Sequence, residues 1–171
     1  MLLAPPPAPQ SIEAGPITAG SIVGALPFKD TMSIVRLNGS TLIAALTHGL
    51  TGWGSYGWFP QVAGLRVYHR DGTFLAASLL RGGVEAPLNP ATRYTLVTTD
   101  LISGGFDGYV VVSKGGQILL SNGMPLDQAL MEVVQAAGTI SPVTESRIVN
   151  CATIKCPATA AQAPFAKVCC A

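Results

Sequence analysis

Charged residues are scarce in this sequence. Lys, Arg, Asp and Glu make up 11% of the 171 residues, and the formal net charge is +1 at pH 7. Binding to nucleic acid or to an anionic membrane surface usually requires a basic stripe or a polybasic patch, and the sequence contains neither. We therefore expect no nucleic acid and no membrane among the partners of this chain.

Long hydrophobic runs are missing as well. Mean hydropathy is +0.43, yet Gly, Pro, Ser or a charge interrupts each apolar stretch well before the roughly 20 residues that a membrane-spanning helix needs. The hydrophobicity therefore indicates a packed core, which a chain of this length can bury. The first ten residues, MLLAPPPAPQ, turn to proline at once and show no signal-peptide pattern, so the residues alone leave the location of the protein open.

Side chains that bind metals are few. A two-metal hydrolytic centre needs many His, Asp and Asn ligands, and this chain has only two histidines, His48 and His69. We expect His48 to be a polar residue near a helix end and His69 to be a hydrogen-bonded core residue. All four cysteines lie between Cys151 and Cys170, without the spacing of a zinc site, and they could pair or stay free. We expect no metal or other cofactor in this chain.

Several catalytic motifs are absent too. The sequence contains no P-loop, no GxGxxG segment that opens a helix after a strand, and no nucleophile elbow. These absences argue against a P-loop nucleotide hydrolase, a dinucleotide-binding fold and a serine hydrolase.

The chain is expected to form a single domain of the α+β class. We expect a disordered, proline-rich leader over residues 1–14, a folded domain over residues 15–150 and a poorly ordered Cys/Ala-rich tail over residues 151–171. Strands and helices are interspersed without a regular strand–helix–strand repeat, which favours helices packed on a mixed or antiparallel sheet.

Local patterns predict the elements. Thr18 suits the N-cap of a first helix, Ser40 or Thr41 suits that of a second, and Gly49 could end the second in a left-handed conformation. The expected helices span residues 19–26, about 41–49 and 126–137, and the expected strands span residues 31–37, 65–70, 73–80, 94–99 and 147–150. The aromatic loop 51–60 is expected to cover the core.

The richest segment is YTLVTTDLISGGFDGY, from Tyr94 to Tyr109. A β-patterned run leads into a glycine-rich turn with a single carboxylate, Asp107. Glycines allow the backbone to approach a ligand closely, and loops at strand ends often carry binding residues. The segment taken alone fits two interpretations equally well: Asp107 contacts a ligand, or it caps backbone amides in a tight turn.

Three blocks in fixed order carry a resemblance to a known family: ITAGSIVGALPFKDT, FPQVAGLRV and YTLVTTDLISGGFDGY. Together with the helix LNGSTLIAALTHGL, they resemble the C-terminal domain of the 5′-nucleotidase family over residues 15–150. The resemblance implies a layered α/β-β-α domain, a mixed sheet covered by helices, that recognises nucleotides. It also implies a separate N-terminal metallophosphoesterase domain that supplies two divalent metals and the catalytic residues, in proteins that are mostly extracellular or periplasmic. We find no counterpart of that domain here and expect this chain alone to be inactive.

The resemblance also implies substrate-binding residues. It makes Phe28 a candidate to stack on a base and Asp107 a candidate to hydrogen-bond ribose hydroxyls. The family's second stacking aromatic corresponds to Leu101 in an ungapped match, whereas Phe106 stands as an extra residue beside Gly104 and Gly105. Either the base clamp has lost one wall, or Phe106 supplies it from a new direction. The expected partner is a nucleoside or nucleotide, and the alternative function is that of a degenerate structural or protein-interaction module.

Overall fold

The computed structural model describes residues 1–3, 11–54 and 56–156. Five α-helices lie in this part of the chain: α1 Ala19–Ala25, α2 Gly39–Leu50, α3 Asp100–Ser103, α4 Val110–Gly115 and α5 Leu126–Ala137. The strands there are β1 Leu2–Leu3, β2 Met32–Asn38, β3 Gln61–Val62, β4 Leu65–Arg70, β5 Thr73–Arg81, β6 Val84–Pro87, β7 Arg93–Thr99, β8 Gly116–Leu120 and β9 Ile148–Asn150. The mixture confirms the α+β prediction.

The strands form two larger sheets and one small pair. The first sheet has the order β7-β2-β8 and is antiparallel, with Met32 opposite Thr99 and Asn38 opposite Arg93. The second has the order β6-β5-β4-β9 and is mixed, because β9 runs parallel to β4. The pair β1-β3 is tied to the first sheet, since the Thr98 hydroxyl donates to the Leu2 carbonyl at 2.7 Å.

Helix α2 connects the two larger sheets. Its apolar stripe is buried and contacts β2 of the first sheet, β5 of the second and helix α4. The buried members of the stripe are Leu42, Ala45, Leu46 and Leu50. The core is therefore built around α2, which gives the helix a fixed position relative to both sheets.

Most locally coded features are confirmed. Thr18 caps α1 in a capping box with Ser21, and Asp71 and Gly72 both adopt positive φ in the turn between β4 and β5. His69 is fully buried, and its Nδ1 accepts a hydrogen bond from the Gly72 N–H. Trp58 and Phe59 of the aromatic loop pack against the core, as predicted for a cover.

The expected ends of α2 are wrong. Neither Ser40 nor Thr41 caps the helix, which begins at Gly39 and is held there because the Gly39 N–H donates to the Thr92 carbonyl. Gly49 is helical and does not adopt the left-handed conformation, and the helix continues to Leu50. A glycine is needed at position 49 for space, because a Cβ atom there would lie 2.5 Å from the Tyr109 hydroxyl.

The first residues of the expected leader and of the expected tail have defined structure. Leu2 and Leu3 form β1, and Leu2 is fully buried, so the flexible leader expected over residues 1–14 does not include them. Beyond residue 150, a disulfide joins Cys151 to Cys156. Residues 4–10 and 157–171, including Cys169 and Cys170, lie outside the described residues.

Helix α4 forms where the local residue preferences favour a strand. Val110 and its neighbours Val111 and Val112 favour strands locally, yet they form a short helix. Val112 is buried in the core cluster, and α4 packs against α2 and β2. Packing against the core therefore overrides the local β propensity of these valines.

Candidate functional site

A tight turn follows β7 and α3 and presents the motif carboxylate. Gly105, Asp107 and Gly108 all have positive φ, and Phe106–Gly108 form a short 3₁₀ turn. A Cβ atom at position 105 would lie 2.5 Å from the Ser113 hydroxyl, so glycine is required there for space as well as for conformation. The glycine-rich segment is thus used to turn the chain sharply at Asp107.

Helix α2 supports this turn through His48. The Nε2 atom of His48 lies 2.7 Å from the backbone carbonyl oxygen of Asp107. The ring meets Tyr109 edge-on at a centroid distance of 5.0 Å, and the buried Tyr109 hydroxyl donates to the Trp58 carbonyl at 2.6 Å. His48 lies in the last helical turn, as predicted, but no sequence pattern indicated its contact with a residue 59 positions away.

The side chain of Asp107 is exposed. Within the described residues it accepts no hydrogen bond, so the interpretation of Asp107 as a cap of backbone amides is wrong. The capping role belongs instead to Asp100, whose Oδ1 accepts from the Thr31 N–H at 3.1 Å and the Leu101 N–H at 3.0 Å. Asp100 therefore stabilises the local backbone, whereas the Asp107 carboxylate has no such structural role among the described residues.

A third carboxylate shares this region. The pKa of Asp30 is raised, first by burial and then by the negative charges of Asp100 and Asp107. Asp30 is placed by its backbone, because its carbonyl accepts from the Leu126 N–H at the start of α5. Sequence reasoning missed Asp30 and Asp100. The proximity of Asp30 to Asp100 and Asp107 depends on the pairing of β2 with β7. Three carboxyl groups therefore lie close together around Asp30.

The two candidate phenylalanines are both accessible. Phe28 is 57% exposed and follows the end of α1, two residues before Asp30. Phe106 is 63% exposed and precedes Asp107, with its ring lying against Gly104. Within the described residues, the two rings form no aromatic pair with each other. Each ring therefore has a large solvent-exposed surface.

Leu101 is half-buried in α3, directly after Asp100. An aliphatic side chain at this position offers bulk but no flat π face. Of the two candidates for the second wall of a base clamp, Phe106 is the residue with an exposed ring.

A separate cavity of about 410 Å³ lies between β7 and the β4–β5 hairpin, with Arg81, Arg93 and Tyr94 among its lining residues. None of the four candidate residues lines it. Among the residues that the structure describes, no group of three or more His, Cys, Asp or Glu side chains is placed to hold a metal ion. No helix in the same part of the chain has both the length and the apolar character needed to cross a membrane.

Comparison with known proteins assigns the fold to a family. The model of the family described as "5'-nucleotidase, C-terminal domain" matches residues 3–114, which is more than half of the chain. This chain belongs to the 5′-nucleotidase C-terminal domain family. The match begins at residue 3, which agrees with the strand formed by Leu2 and Leu3.

Similar proteins support the family assignment. The trifunctional nucleotide phosphoesterase protein YfkN of Bacillus subtilis (strain 168) is 28% identical over 149 residues, covering 80% of this chain and 10% of that protein. The 5′-nucleotidase of Diplobatis ommata is 26% identical over 144 residues, covering 78% of this chain and 25% of that protein. The crystal structure of the 5′-nucleotidase precursor from Thermus thermophilus has a TM-score of 0.79 at 27% identity and covers 86% of this chain and 30% of that one.

The chain thus corresponds to a minor part of each of these relatives. It spans 10% of the Bacillus protein and 30% of the Thermus chain. The activities in their names are those of the longer proteins, and the family match establishes for this chain the C-terminal domain.

Proposed function

We propose that this domain recognises the nucleoside part of a nucleotide for a 5′-nucleotidase-type hydrolase of nucleotide catabolism. One observation carries the proposal: the sharp turn after α3 presents an exposed Asp107 carboxylate without a protein partner in the described residues, next to an exposed aromatic ring. A carboxylate accepts hydrogen bonds from two adjacent hydroxyls, as in a ribose. Stacking of a base on an aromatic ring contributes about 1–3 kcal/mol per base.

In this proposal Phe28 stacks on one face of the base and Phe106 on the other. Leu101, which is half-buried in α3, contributes apolar bulk to the clamp in this proposal. The proximity of Asp30 and Asp100 to Asp107 sets the orientation of the ligand, because like charges repel at short range. The nucleoside therefore faces this domain, and its phosphate points away from the three carboxylates.

We further propose that hydrolysis depends on a metallophosphoesterase domain, whose divalent metals would supply the activated water. The described residues of this chain do not fit such a centre, so no chemical step is assigned to them. The contribution of this domain is to hold the substrate in position, which lowers the entropic part of the barrier.

Titration of the chain with adenosine tests the proposal. Adenosine should raise the melting temperature, and the shift should grow with the logarithm of its concentration above the dissociation constant. AMP should bind no more tightly, because its phosphate is repelled by the three carboxylates. Phe28→Ala should abolish the shift, whereas Val84→Ala, which removes an exposed apolar side chain from β6, should leave it unchanged. A wild-type chain that responds to no nucleoside would refute the proposal.

A second candidate is favoured by the edge of the first sheet. Ile118, Leu119 and Leu120 on the edge strand β8 are 43–51% exposed, and an apolar edge of this kind can pair with another chain. In that case the domain is a degenerate structural or protein-interaction module that keeps the family fold. The same adenosine titration separates the two, because the module would show no melting shift.

A further inference from the structure

We infer that His48 on α2 is a positioning residue for Asp107, which it orients toward the ribose hydroxyls of the ligand. The inference rests on the proposed function and adds to it a residue that is distant from the ligand-binding residues in sequence. It is carried by the 2.7 Å contact between His48 Nε2 and the Asp107 carbonyl oxygen.

The backbone at Asp107 needs external support. Its φ of 52° lies in the left-handed region, which costs a non-glycine residue of order 1–3 kcal/mol and persists only where the surroundings impose it. Within the described residues, no side chain caps the 3₁₀ turn at its start, and the backbone bond from Tyr109 N–H to the Phe106 carbonyl closes it. Among the described residues, the side chain of His48 bonds directly to Asp107.

The chemistry of the contact defines the state of the ring. A carbonyl oxygen only accepts hydrogen bonds, so the Nε2 atom of His48 carries the proton and donates it. Asp107 is thereby bound through its backbone, and its carboxylate stays available. A contact to the carboxylate itself would instead compete with ribose hydroxyls.

The His48 ring is packed between neighbouring residues of the turn and of the core. A Cβ atom at position 108 would collide with the ring, so the turn lies directly against it. Tyr109 packs edge-on against the ring and is itself fixed by its bond to the Trp58 carbonyl. Helix α2 contacts both larger sheets. The His48 contact therefore links the position of Asp107 to the core of the domain. Ordering this acceptor before binding reduces the entropy lost when the ligand binds.

A comparison of two ligands tests the role. Adenosine and 2′,3′-dideoxyadenosine share the base but differ in the ribose hydroxyls, so the ratio of their dissociation constants reports the contacts that these hydroxyls make. We expect the wild-type chain to bind adenosine about tenfold more tightly, as one charge-assisted hydrogen bond provides. In His48→Phe, which keeps a ring but loses the donor, the ratio should fall toward one while the affinity for dideoxyadenosine is retained.

Conservative variants separate positioning from general stability. His48→Gln keeps an amide donor at the reach of Nε2 and should restore the ratio, whereas the shorter amide of His48→Asn should not. Asp107→Asn should lower the ratio, and adding His48→Phe to it should lower the ratio no further, as expected for two residues that act through one contact. The Gln and Asn pair provides the same test should His48→Phe fail to fold.

The outcomes are distinguishable. A wild-type ratio near one overturns the ribose contact of the proposed function before any variant is made. A wild-type ratio near ten that persists in His48→Phe and His48→Asn overturns the positioning role alone. An equal loss of affinity for both ligands in these variants also overturns it, because a purely structural residue would affect both ligands alike.

Discussion

His69 illustrates how a single residue can couple the fold to pH. The imidazole is fully buried, Trp53 packs on it at a centroid distance of 4.5 Å, and Nδ1 accepts from the Gly72 N–H at 3.2 Å. Nε2 therefore carries the proton, yet it has no partner among the described residues. Burial lowers the pKa of His69, and the nearby charge of Asp71 opposes this effect.

The lowered pKa predicts a loss of stability in mild acid. Above about pH 6.5, the usual histidine pKa, His69 is neutral in both the folded and the unfolded chain. As the pH falls below this value, the unfolded chain takes up a proton that the folded chain excludes, so the free energy of unfolding decreases until the pH reaches the lowered pKa of the folded state. Urea unfolding between pH 7.5 and 5 should show a falling midpoint.

His69→Asn provides the control. Its side-chain oxygen can still accept from the Gly72 N–H, but it does not titrate in this range. The variant should unfold at lower urea overall and show a flatter dependence on pH. Parallel curves for the variant and the wild type would contradict the assignment to His69.

At the scale of elements, replacing either of two helical glycines by alanine should change the stability of the domain, in opposite directions. Gly20 lies in the exposed helix α1, where a Cβ atom would lie 3.7 Å from the Thr18 hydroxyl, in ordinary contact. Gly49 lies in α2, where a Cβ atom would approach the Tyr109 hydroxyl at 2.5 Å and the ring of Pro60 at 2.8 Å. Helix propensity alone favours alanine at both positions by about 1 kcal/mol.

At Gly49, tight packing should reverse the sign of the change in the free energy of unfolding. Gly20→Ala should raise the free energy of unfolding by up to about 1 kcal/mol, whereas Gly49→Ala should lower it by about 1–3 kcal/mol through overpacking. Chemical denaturation of the two variants measures both effects. Stabilisation by both substitutions would show that the buried interface between α2 and Tyr109 can relax.

A disulfide follows strand β9 directly. The bond between Cys151 and Cys156 closes a short loop directly after β9, and the Cys151 N–H donates to the His69 carbonyl at 2.7 Å. Closing a loop of this length stabilises the fold by about 2 kcal/mol in the chain-entropy model. The disulfide therefore helps to hold β9 beside β4.

Removal of the disulfide should be measurable. Cys151→Ser with Cys156→Ser should lower the free energy of unfolding by about 2 kcal/mol and speed hydrogen exchange at the backbone amides of β9. Both proteins should carry serine at Cys169 and Cys170, so that tail thiols do not exchange with the bond. A reductant should then destabilise the parent but not the double variant, and equal sensitivity to reductant would contradict the prediction.

At the scale of the whole molecule, the domain should bind without catalysing. Its described residues hold no group suited to a metal centre, and the nucleoside contacts proposed for it act only by position. Incubation of the chain with AMP and Mn²⁺ or Zn²⁺ should release phosphate no faster than the metal alone. Release above that control, if it persists after contaminating phosphatase has been removed, would contradict the division of roles.

Several features could be predicted from the sequence because their causes are local. The N-cap at Thr18, the neighbouring strands β4 and β5 and the helix α5 each depend on patterns of residues a few positions apart. The spacing of apolar residues predicts helix α5 but not its environment. In the structure α5 packs on α1, and Val133 is left 59% exposed. Whether a helix face is covered depends on which element reaches it.

The candidate site was only partly predictable. Phe28 and Asp107 followed from ordered sequence blocks that resemble the family, and their binding roles stay predictions. The grouping of Asp30 with Asp100 and Asp107 could not be predicted, because it requires the pairing of β2 with β7 across about 70 residues. Electrostatic coupling depends on distance in space, which no local pattern encodes.

By itself, the sequence determined the class of the fold, most of its elements and the family to which the domain belongs. These follow from periodicity, turn chemistry and the order of motif blocks, all of which act over short stretches of chain. The tertiary structure alone decided that β9 runs parallel to β4, that Gly49 is needed for space and that His48 supports Asp107. Such contacts join residues far apart in the sequence, and they form only when burial of the core brings distant elements together.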